Sequence, residues 1–175
     1  RALQLDPLNE IVQLAHGAPL LFAGRYDEAI VQWRKMLRTS PQNPGAHWLL
    51  SESFFCKAMY EESLAEMKAY YSSIGDREVE EALTQGYAQS GYRGAMRRAA
   101  DMLAARARTT YVLPGDVAML YVMAGEKAQA LEWLEKALEV RDPGLPSMLN
   151  GDPTFETLRS DPRFQALLRR MNLPQ

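Results

Sequence analysis

The chain has 175 residues, of which 47% are hydrophobic and 24% are charged, and its formal net charge is −2. This composition is typical of a folded domain and argues against a disordered chain, and a charge so close to zero gives no general attraction to nucleic acid or to an anionic membrane. The single cysteine, Cys56, excludes an internal disulfide framework. No apolar run reaches the roughly 18 to 20 residues that cross a bilayer, and no signal peptide is visible. The sequence therefore favours a cytoplasmic protein but does not fix its compartment.

Residues 24–41, GRYDEAIVQWRKMLRTSP, contain a pattern that recurs along most of the chain. The stretch begins with a tight turn, continues as a helix and ends at a proline. Its turn position recurs with steps of 34, 33 and 34 residues, at Gly24, Ala58, Gly91 and Gly125. A position for close helix contact recurs with the same steps, at Ala29, Ser63, Met96 and Ala130. A fixed period of this length is typical of stacked helical repeats.

In these features the chain resembles the tetratricopeptide repeat (TPR) family. That family has an aromatic residue, Leu-Gly and a second aromatic in a first helix, then Ala, a bulky residue and Pro in a second helix. Four units in phase fill most of these positions, although each lacks the leading aromatic, and the resemblance covers about residues 1 to 142. The matching residues are Gln13, His16, Gly17, Leu20, Ala29, Trp33 and Pro41; His47, Leu50, Ser51, Phe54, Ser63, Met67 and Gly75; Glu80, Leu83, Thr84, Tyr87, Met96 and Ala100; and Pro114, Val117, Ala118, Tyr121, Ala130, Leu134 and Asp142.

The resemblance implies an all-α protein, a right-handed α-α superhelix of about four helical hairpins followed by capping helices. Residues 1–9 are expected to be the remnant of a preceding repeat. Repeats are expected at 10–43, 44–76, 77–110 and 111–143, the third of them degenerate, and a capping segment with one or two short helices at 144–175. The predicted helices cover residues 10–23, 26–39, 44–57, 60–72, 77–90, 93–107, 115–124 and 127–140, with a kink at Pro19.

The period is lost after residue 142, and two Asp-Pro pairs mark the remaining chain. Asp152-Pro153 and Asp161-Pro162 each place an N-cap before a proline at the first helical position. The second pair opens a helix whose apolar residues form one stripe, consisting of Phe164, Leu167, Leu168 and Met171. We expect this helix to cap the last repeat, because an uncapped array exposes its stacking face. The alternative is a helix that occupies the binding groove and inhibits the module.

Both ends of the chain indicate a larger parent protein. Residues 1–5 are typical of the tail of a helix whose start is missing, so the chain is interpreted as a C-terminal part. The closing TFETLRSDPRFQALLRRMNLP resembles the end of bacterial multidomain signalling proteins, in which TPR arrays follow a Ser/Thr kinase, a winged-helix activator or a nucleotide cyclase. Loss of upstream repeats would expose an apolar end that is predicted to mediate homo-oligomer formation. Its residues are Leu3, Leu5, Leu8 and Ile11.

The sequence contains no motif that indicates catalysis. There is no phosphate-binding loop, no Cys or His pair with metal-ligand spacing and no nucleophile elbow. His16 and His47 fall at packing positions of the repeat, and Cys56 lies about 180° around the helix from His47. The arginine-rich stretch 93–108 has no interleaved aromatic residue and is interpreted as solvated surface. We therefore predict a non-catalytic chain without cofactor or metal, and no nucleic acid or membrane partner.

The resemblance implies a ligand groove lined by the first helices of the repeats. The candidate groove is apolar at both ends and acidic to amide in the middle, and consists of Leu14, Phe22, Trp48, Glu52, Phe55, Glu78, Glu81, Gln85, Met119 and Met123. TPR domains that grip C-terminal carboxylates use Lys, Arg and Asn at such positions, and none is present here. The groove is therefore expected to bind an extended or helical segment with apolar anchors. Trp48 and Phe55 are the best anchor candidates, although burial in packing is as compatible with the pattern.

These observations are compatible with three functions, of which one is favoured. The leading interpretation is a protein-protein interaction module, a scaffold that binds a peptide or helix in the groove or mediates self-association of its parent. The second is an autoinhibitory module whose C-terminal helix blocks that groove. An enzyme with a site scattered over the array is the third, and no motif supports it.

Overall fold

The computed structural model of the protein describes residues 17–174. Every regular element in that range is helical, and the range contains no strand, which confirms the all-α prediction. The chain forms two compact units, and the boundary between them falls between Glu80 and Glu81. The predicted repeat remnant, the candidate groove residue Leu14 and the apolar end proposed for oligomer formation lie outside the described residues.

The first unit contains consecutive helices joined by short turns. Residues 17–22 form the described part of α1, and α2 (Tyr26–Thr39), α3 (Pro44–Cys56) and α4 (Tyr60–Ser73) follow. The helix α2 packs on α3, and α3 packs on α4. Each of these three helices agrees with its predicted range to within one residue. At the start of α3, the side chain of Asn43 accepts a hydrogen bond from the backbone N–H of Ala46 at 2.9 Å, as an N-cap does.

The helices of the first unit approach closely at the small residues that the repeat pattern specifies. A Cβ atom on Gly17 would lie 2.2 Å from the Trp33 ring, so only glycine fits against this indole. Between α3 and α4, the hydroxyl of Ser51 donates to the carbonyl of Ser63 at 2.8 Å, and the hydroxyl of Ser63 donates to the carbonyl of Ser51 at 2.8 Å. Both serines are fully buried, so this reciprocal pair satisfies polar groups inside the contact.

The second unit contains most of α5 (Arg77–Arg106), a helix that is broken within its length. Ser90 and Gly91 have non-helical backbone angles there. The break agrees with the predicted turn residue Gly91, whereas Ser90 was predicted to end the preceding helix. The remaining helices are α6 (Pro114–Ala124), α7 (Lys127–Glu139), α8 (Leu145–Leu149), a 3-10 helix (Pro153–Leu158) and α9 (Pro162–Arg170). The helix α7 packs on α6, the 3-10 helix contacts α6, and both α8 and α9 contact α7.

The predicted turn series is reproduced in the backbone. Gly24, Ala58, Gly91 and Gly125 all have positive φ angles, of 72°, 57°, 64° and 84°. Glycine adopts this left-handed region without steric cost, whereas Ala58 adopts it at some expense of conformational energy. The four close-contact residues of the second predicted series are all fully buried, at 0% exposure. The periodic pattern of the sequence therefore corresponds to a periodic pattern of conformation and burial.

In the first half of α5 the buried face is shifted by one residue from the predicted one. Thr84 and Tyr87 were expected at packing positions, but both are exposed. The buried set lies one position earlier and consists of Val79, Ala82, Leu83 and Gly86. The reason is the close approach next to the turn, where a Cβ atom on Gly86 would lie 2.5 Å from the Gly94 carbonyl oxygen. Only glycine permits that approach, and the close contact determines which face of the first half of α5 is buried.

The C-terminal segment begins its two helical elements as predicted. The side chain of Asp152 accepts from the N–H of Thr154 at 2.8 Å, and that of Asp161 accepts from the N–H of Arg163 at 2.8 Å. The first element is a 3-10 helix and the second is α9. Three residues of the predicted apolar stripe face inward, since Phe164, Leu167 and Leu168 are at most 1% exposed. The fourth, Met171, follows the end of α9 and is half-buried.

Candidate interaction surfaces

The predicted anchor Trp48 is held in place by two contacts in the first unit. The edge of its ring meets Tyr70 of α4, with ring centroids 5.0 Å apart and planes inclined at 68°. Its indole N–H donates to Oε1 of Glu52, one turn further along α3, at 2.5 Å. The carboxylate of Glu52 is itself almost fully buried, at 3% exposure. Trp48 is thus half-buried in a defined orientation, and Glu52 acts as its hydrogen-bond acceptor.

The second predicted anchor, Phe55, lies one residue before the end of α3. It is half-buried, and its ring centroid is 6.2 Å from that of Tyr60, which is 45% exposed. Trp48 and Phe55 are seven residues apart and so lie on one face of α3. We refer to Trp48, Phe55, Tyr60 and Tyr70 as the aromatic surface. Trp and Tyr are enriched at protein interfaces and among the residues that contribute most of their binding energy.

The other predicted groove residues lie in contrasting surroundings. Phe22 is 40% exposed, and Glu78, Glu81 and Gln85 are exposed. Gln85 accepts a hydrogen bond from the guanidinium of Arg98 at 2.7 Å. Met119 and Met123 are only 1% and 2% exposed. A ligand would reach these two methionines only if the residues that cover them moved.

His47 has a packing environment, as the repeat pattern predicted. Its Nδ1 atom is 2.6 Å from a carboxylate oxygen of Glu66, and its Nε2 atom is 3.1 Å from the carbonyl oxygen of Pro41. These contacts connect α3 to α4 and to the turn before α3. Both ring nitrogens are therefore engaged, and the imidazole is not presented to a substrate.

The second unit contains an open pocket of about 450 Å³ that the sequence did not predict. It lies between the end of α5, the connection that follows it, and α7. Trp133 and Val140 contribute apolar surface, and the exposed residue Tyr111 also lines the pocket. The ammonium group of Lys136 lies 3.9 Å from the centre of the Trp133 ring, in cation–π geometry. The connection before Pro114 is longer than the predicted turns between the preceding helices, and this is the sequence feature that could have drawn attention to the region.

Two carboxyl groups lie close together at the start of α6. Asp142 accepts hydrogen bonds from the backbone N–H groups of Gly115 at 2.9 Å and Gly144 at 2.8 Å. Burial, and to a smaller extent the negative charge of Asp142, raise the pKa of the Asp116 carboxyl to about 7. Asp142 therefore connects the start of α6 to the loop after α7, while Asp116 is held in an environment that disfavours its charge.

We expect the substitution Asp116→Asn to stabilise the protein in a pH-dependent way. The pKa of this carboxyl is near 4 in an unfolded chain and about 7 in the folded protein. Between these two pH values the folded protein keeps the proton on Asp116 and the unfolded chain has lost it. The free energy of unfolding therefore falls as the pH rises from about 4 to about 7. The variant carries no charge at this position and avoids that loss. Its free energy of unfolding at pH 8 is expected to exceed that of the unchanged protein by roughly 1 to 2 kcal/mol. The value is not larger because the N-terminus of α6 offsets part of the cost of burying the charge.

Urea unfolding of the two proteins at pH 4 and pH 8 tests this expectation. The free energies of unfolding of the two proteins are expected to differ at pH 8 and to be nearly equal at pH 4. Glu132→Gln, which removes an exposed carboxylate from α7, is the matched control and is expected to show no such pH dependence. An equal effect of Asp116→Asn at both pH values would contradict the assignment.

Comparison of the chain with protein-family models, with curated proteins and with solved structures found no match. Within residues 17–174, no helix combines the length and the apolar character that a membrane crossing requires. The same range contains no group of three or more His, Cys, Asp or Glu side chains that could hold a metal ion.

Proposed function

We propose that the chain is a TPR-type module that binds a peptide or helix of a partner protein and catalyses no reaction on it. The assignment to the TPR type rests on the four left-handed turn residues and the four fully buried contact residues at a period of 33 or 34. In this proposal the helical pairs form a right-handed superhelix, and the first helix of each pair faces the ligand. The bacterial multidomain signalling proteins named above are the proposed type of parent.

The aromatic surface is the observation on which the binding function depends. Trp48 and Phe55 are the large apolar side chains that the repeat pattern places toward a ligand, and both keep part of their surface open. Tyr70 and the buried carboxylate of Glu52 fix the Trp48 ring in advance. An anchor that is already ordered loses little entropy on binding, and such aromatic residues dominate the energy of protein interfaces.

An acidic residue of the first unit favours a ligand that adds a basic residue to its apolar anchors. Glu78, which the repeat pattern assigns to the groove, is exposed, so a lysine or arginine of the ligand could pair with it at the surface. Exposed pairs of this kind contribute at most about 1 kcal/mol each. The aromatic surface is therefore proposed to supply the affinity, and Glu78 the preference for a basic segment.

The binding proposal is tested with the substitution Trp48→Ala. Peptides are first selected from a displayed random library on the intact chain, and their dissociation constants are measured by fluorescence anisotropy. Trp48→Ala is expected to weaken binding at least tenfold, which corresponds to about 1.4 kcal/mol, because truncation of a central aromatic anchor typically costs more than that.

Two further variants make this experiment decisive. Trp48→Phe keeps an aromatic ring beside Tyr70 and is expected to retain most of the affinity. Tyr111→Ala removes a ring that is 75% exposed in the second unit and is expected to leave the affinity unchanged. If the selected peptides bind Trp48→Ala as tightly as the unchanged chain, with circular dichroism showing an intact fold, the aromatic surface is not the binding site.

The contacts of α9 favour a capping role over an autoinhibitory one. The guanidinium of Arg163 donates two hydrogen bonds to the carboxylate of Glu135 on α7, both at 2.9 Å. Phe164, Leu167 and Leu168 of α9 are buried within the second unit, where this helix contacts α7. We therefore propose α9 as the cap of the last helical pair. Self-association through the N-terminal apolar end stays a prediction, because that end lies outside the described residues.

A further inference from the structure

We infer that the pocket between the end of α5 and α7 is a second binding site, and that it takes an extended acidic peptide segment with one apolar side chain. This site is separate from the aromatic surface and uses different chemistry. Three features of the pocket support this site, namely its apolar lining, its excess of positive charge and a wall segment that lies outside any helix or turn. It requires neither the TPR assignment nor a ligand at Trp48.

The pocket is large enough for a side chain and has an apolar lining. Its volume of about 450 Å³ falls in the range of small-ligand sites. Ala104 of α5 and Ala107, the first residue after that helix, line it with small side chains, and Val140 adds an apolar side chain that is 52% exposed. Burial of a leucine-sized side chain in such a place is worth about 1.5 to 3 kcal/mol. The pocket can therefore accept one apolar anchor.

The charges of the lining select an acidic segment. Arg108 and Lys136 contribute two positive charges, against the single negative charge of Glu139. Within residues 17–174, no ion pair involves Arg108 or Lys136. The Lys136 ammonium lies against the Trp133 ring instead, where it can still donate to a carboxylate. Charge complementarity thus favours a ligand with several carboxylates over a neutral or basic one.

The wall of the pocket favours a peptide over a compact small molecule. Tyr111 and Val112 line the pocket, and together with Leu113, which follows them, they lie between α5 and α6 outside any helix or turn. None of their backbone N–H groups donates to another described residue. An extended peptide can pair its own backbone with such a segment, as happens when a strand is added to an exposed edge. Tyr111, at 75% exposure, offers its ring to cover the bound segment.

The test uses the whole ¹⁵N-labelled chain and a defined probe, the acetylated and amidated hexapeptide Asp-Glu-Leu-Glu-Asp-Glu. Titration followed by amide chemical shifts is expected to move the signals of Tyr111, Val112 and the indole N–H of Trp133, with a dissociation constant of about 10⁻⁴ M. A peptide with lysine at every acidic position, and one with serine in place of leucine, are each expected to bind at least tenfold more weakly.

Variants with altered charge establish where the probe binds. Arg108→Glu combined with Lys136→Gln is expected to weaken binding of the acidic peptide at least tenfold, because both cations are removed. Arg169→Glu reverses an exposed cation in the last turn of α9 and is expected to have no effect. Trp48→Ala is also expected to leave this binding unchanged, which separates this site from the aromatic surface.

Three results would overturn the inference. The first is the absence of localised shifts at millimolar peptide, and the second is equal binding of the acidic and lysine-substituted peptides. The third is a set of shifts centred on Trp48, which would assign acidic peptides to the aromatic surface and leave the proposed function standing. Loss of binding by the charge variant with an unchanged spectrum elsewhere would support the site.

Discussion

Removal of residues 160–175 is expected to destabilise the second unit by about 5 kcal/mol or more. The three largest apolar side chains of α9 are at most 1% exposed, and each is worth about 1.5 to 3 kcal/mol when buried. The truncation also removes the two hydrogen bonds between Arg163 and Glu135. Since whole domains are stable by only about 5 to 15 kcal/mol, the second unit is expected to be largely unfolded or partly open without this helix.

Urea unfolding and the fluorescence of a dye that binds exposed apolar surface measure this effect. The dye signal is expected to increase in the truncated chain, because the surface under α9 becomes accessible. Removal of only the last two residues is the control, and it is expected to change stability little. A truncated chain that kept its stability and bound selected peptides more tightly would show that α9 is an inhibitory helix and not a cap.

The substitution Gly86→Ala is expected to lower the free energy of unfolding by about 3 kcal/mol, at the upper end of the usual penalty for overpacking. The added Cβ atom would lie 2.5 Å from the carbonyl oxygen of Gly94 and 2.8 Å from the Cα atom of Ala95. Both are backbone atoms that cannot rotate away. Relief of the clash therefore requires the two halves of α5 to separate, which opens the buried contact next to the turn.

The sign of the change in the free energy of unfolding distinguishes the close contact from the effect of helix propensity. Helix propensity on its own predicts that Gly→Ala stabilises a helix by nearly 1 kcal/mol, whereas the close approach predicts a loss. Ala88→Gly, at an exposed position two residues further on, is the matched control and is expected to cost about 1 kcal/mol through propensity. Thermal and urea unfolding of both variants decide the matter, and a stabilised Gly86→Ala variant would exclude the close contact.

The parts of the fold that depend on local sequence were predicted well. The positions of the turns followed from the spacing of Gly24, Gly91 and Gly125, because a left-handed backbone is most readily adopted by glycine. The starts of the last two helical elements followed from Asp152 and Asp161, since an aspartate before a proline caps a helix. These signals act over a few residues, and each can be recognised without knowledge of the rest of the molecule.

The candidate site was predicted less completely, and the difference lies in burial. The period predicted that Trp48 and Phe55 share a face of α3, but it placed Met119 and Met123 at the same kind of position, where they are buried. Whether a side chain at a given repeat position is covered depends on neighbours from other helices. The pocket lined by Tyr111 and Trp133 was missed altogether, because its residues come from segments that are distant in sequence and follow no period.

Helix type, repeat period, turn positions and helix caps were thus already encoded in short stretches of this chain, through backbone steric preferences and through contacts between residues three or four apart. Packing between helices was needed to establish the rotation of the first half of α5, the burial of Glu52 and the raised pKa of Asp116. The physical reason is that steric clashes at Gly86 and the loss of solvation around a carboxyl group depend on which distant atoms lie nearby, and no local pattern records those atoms.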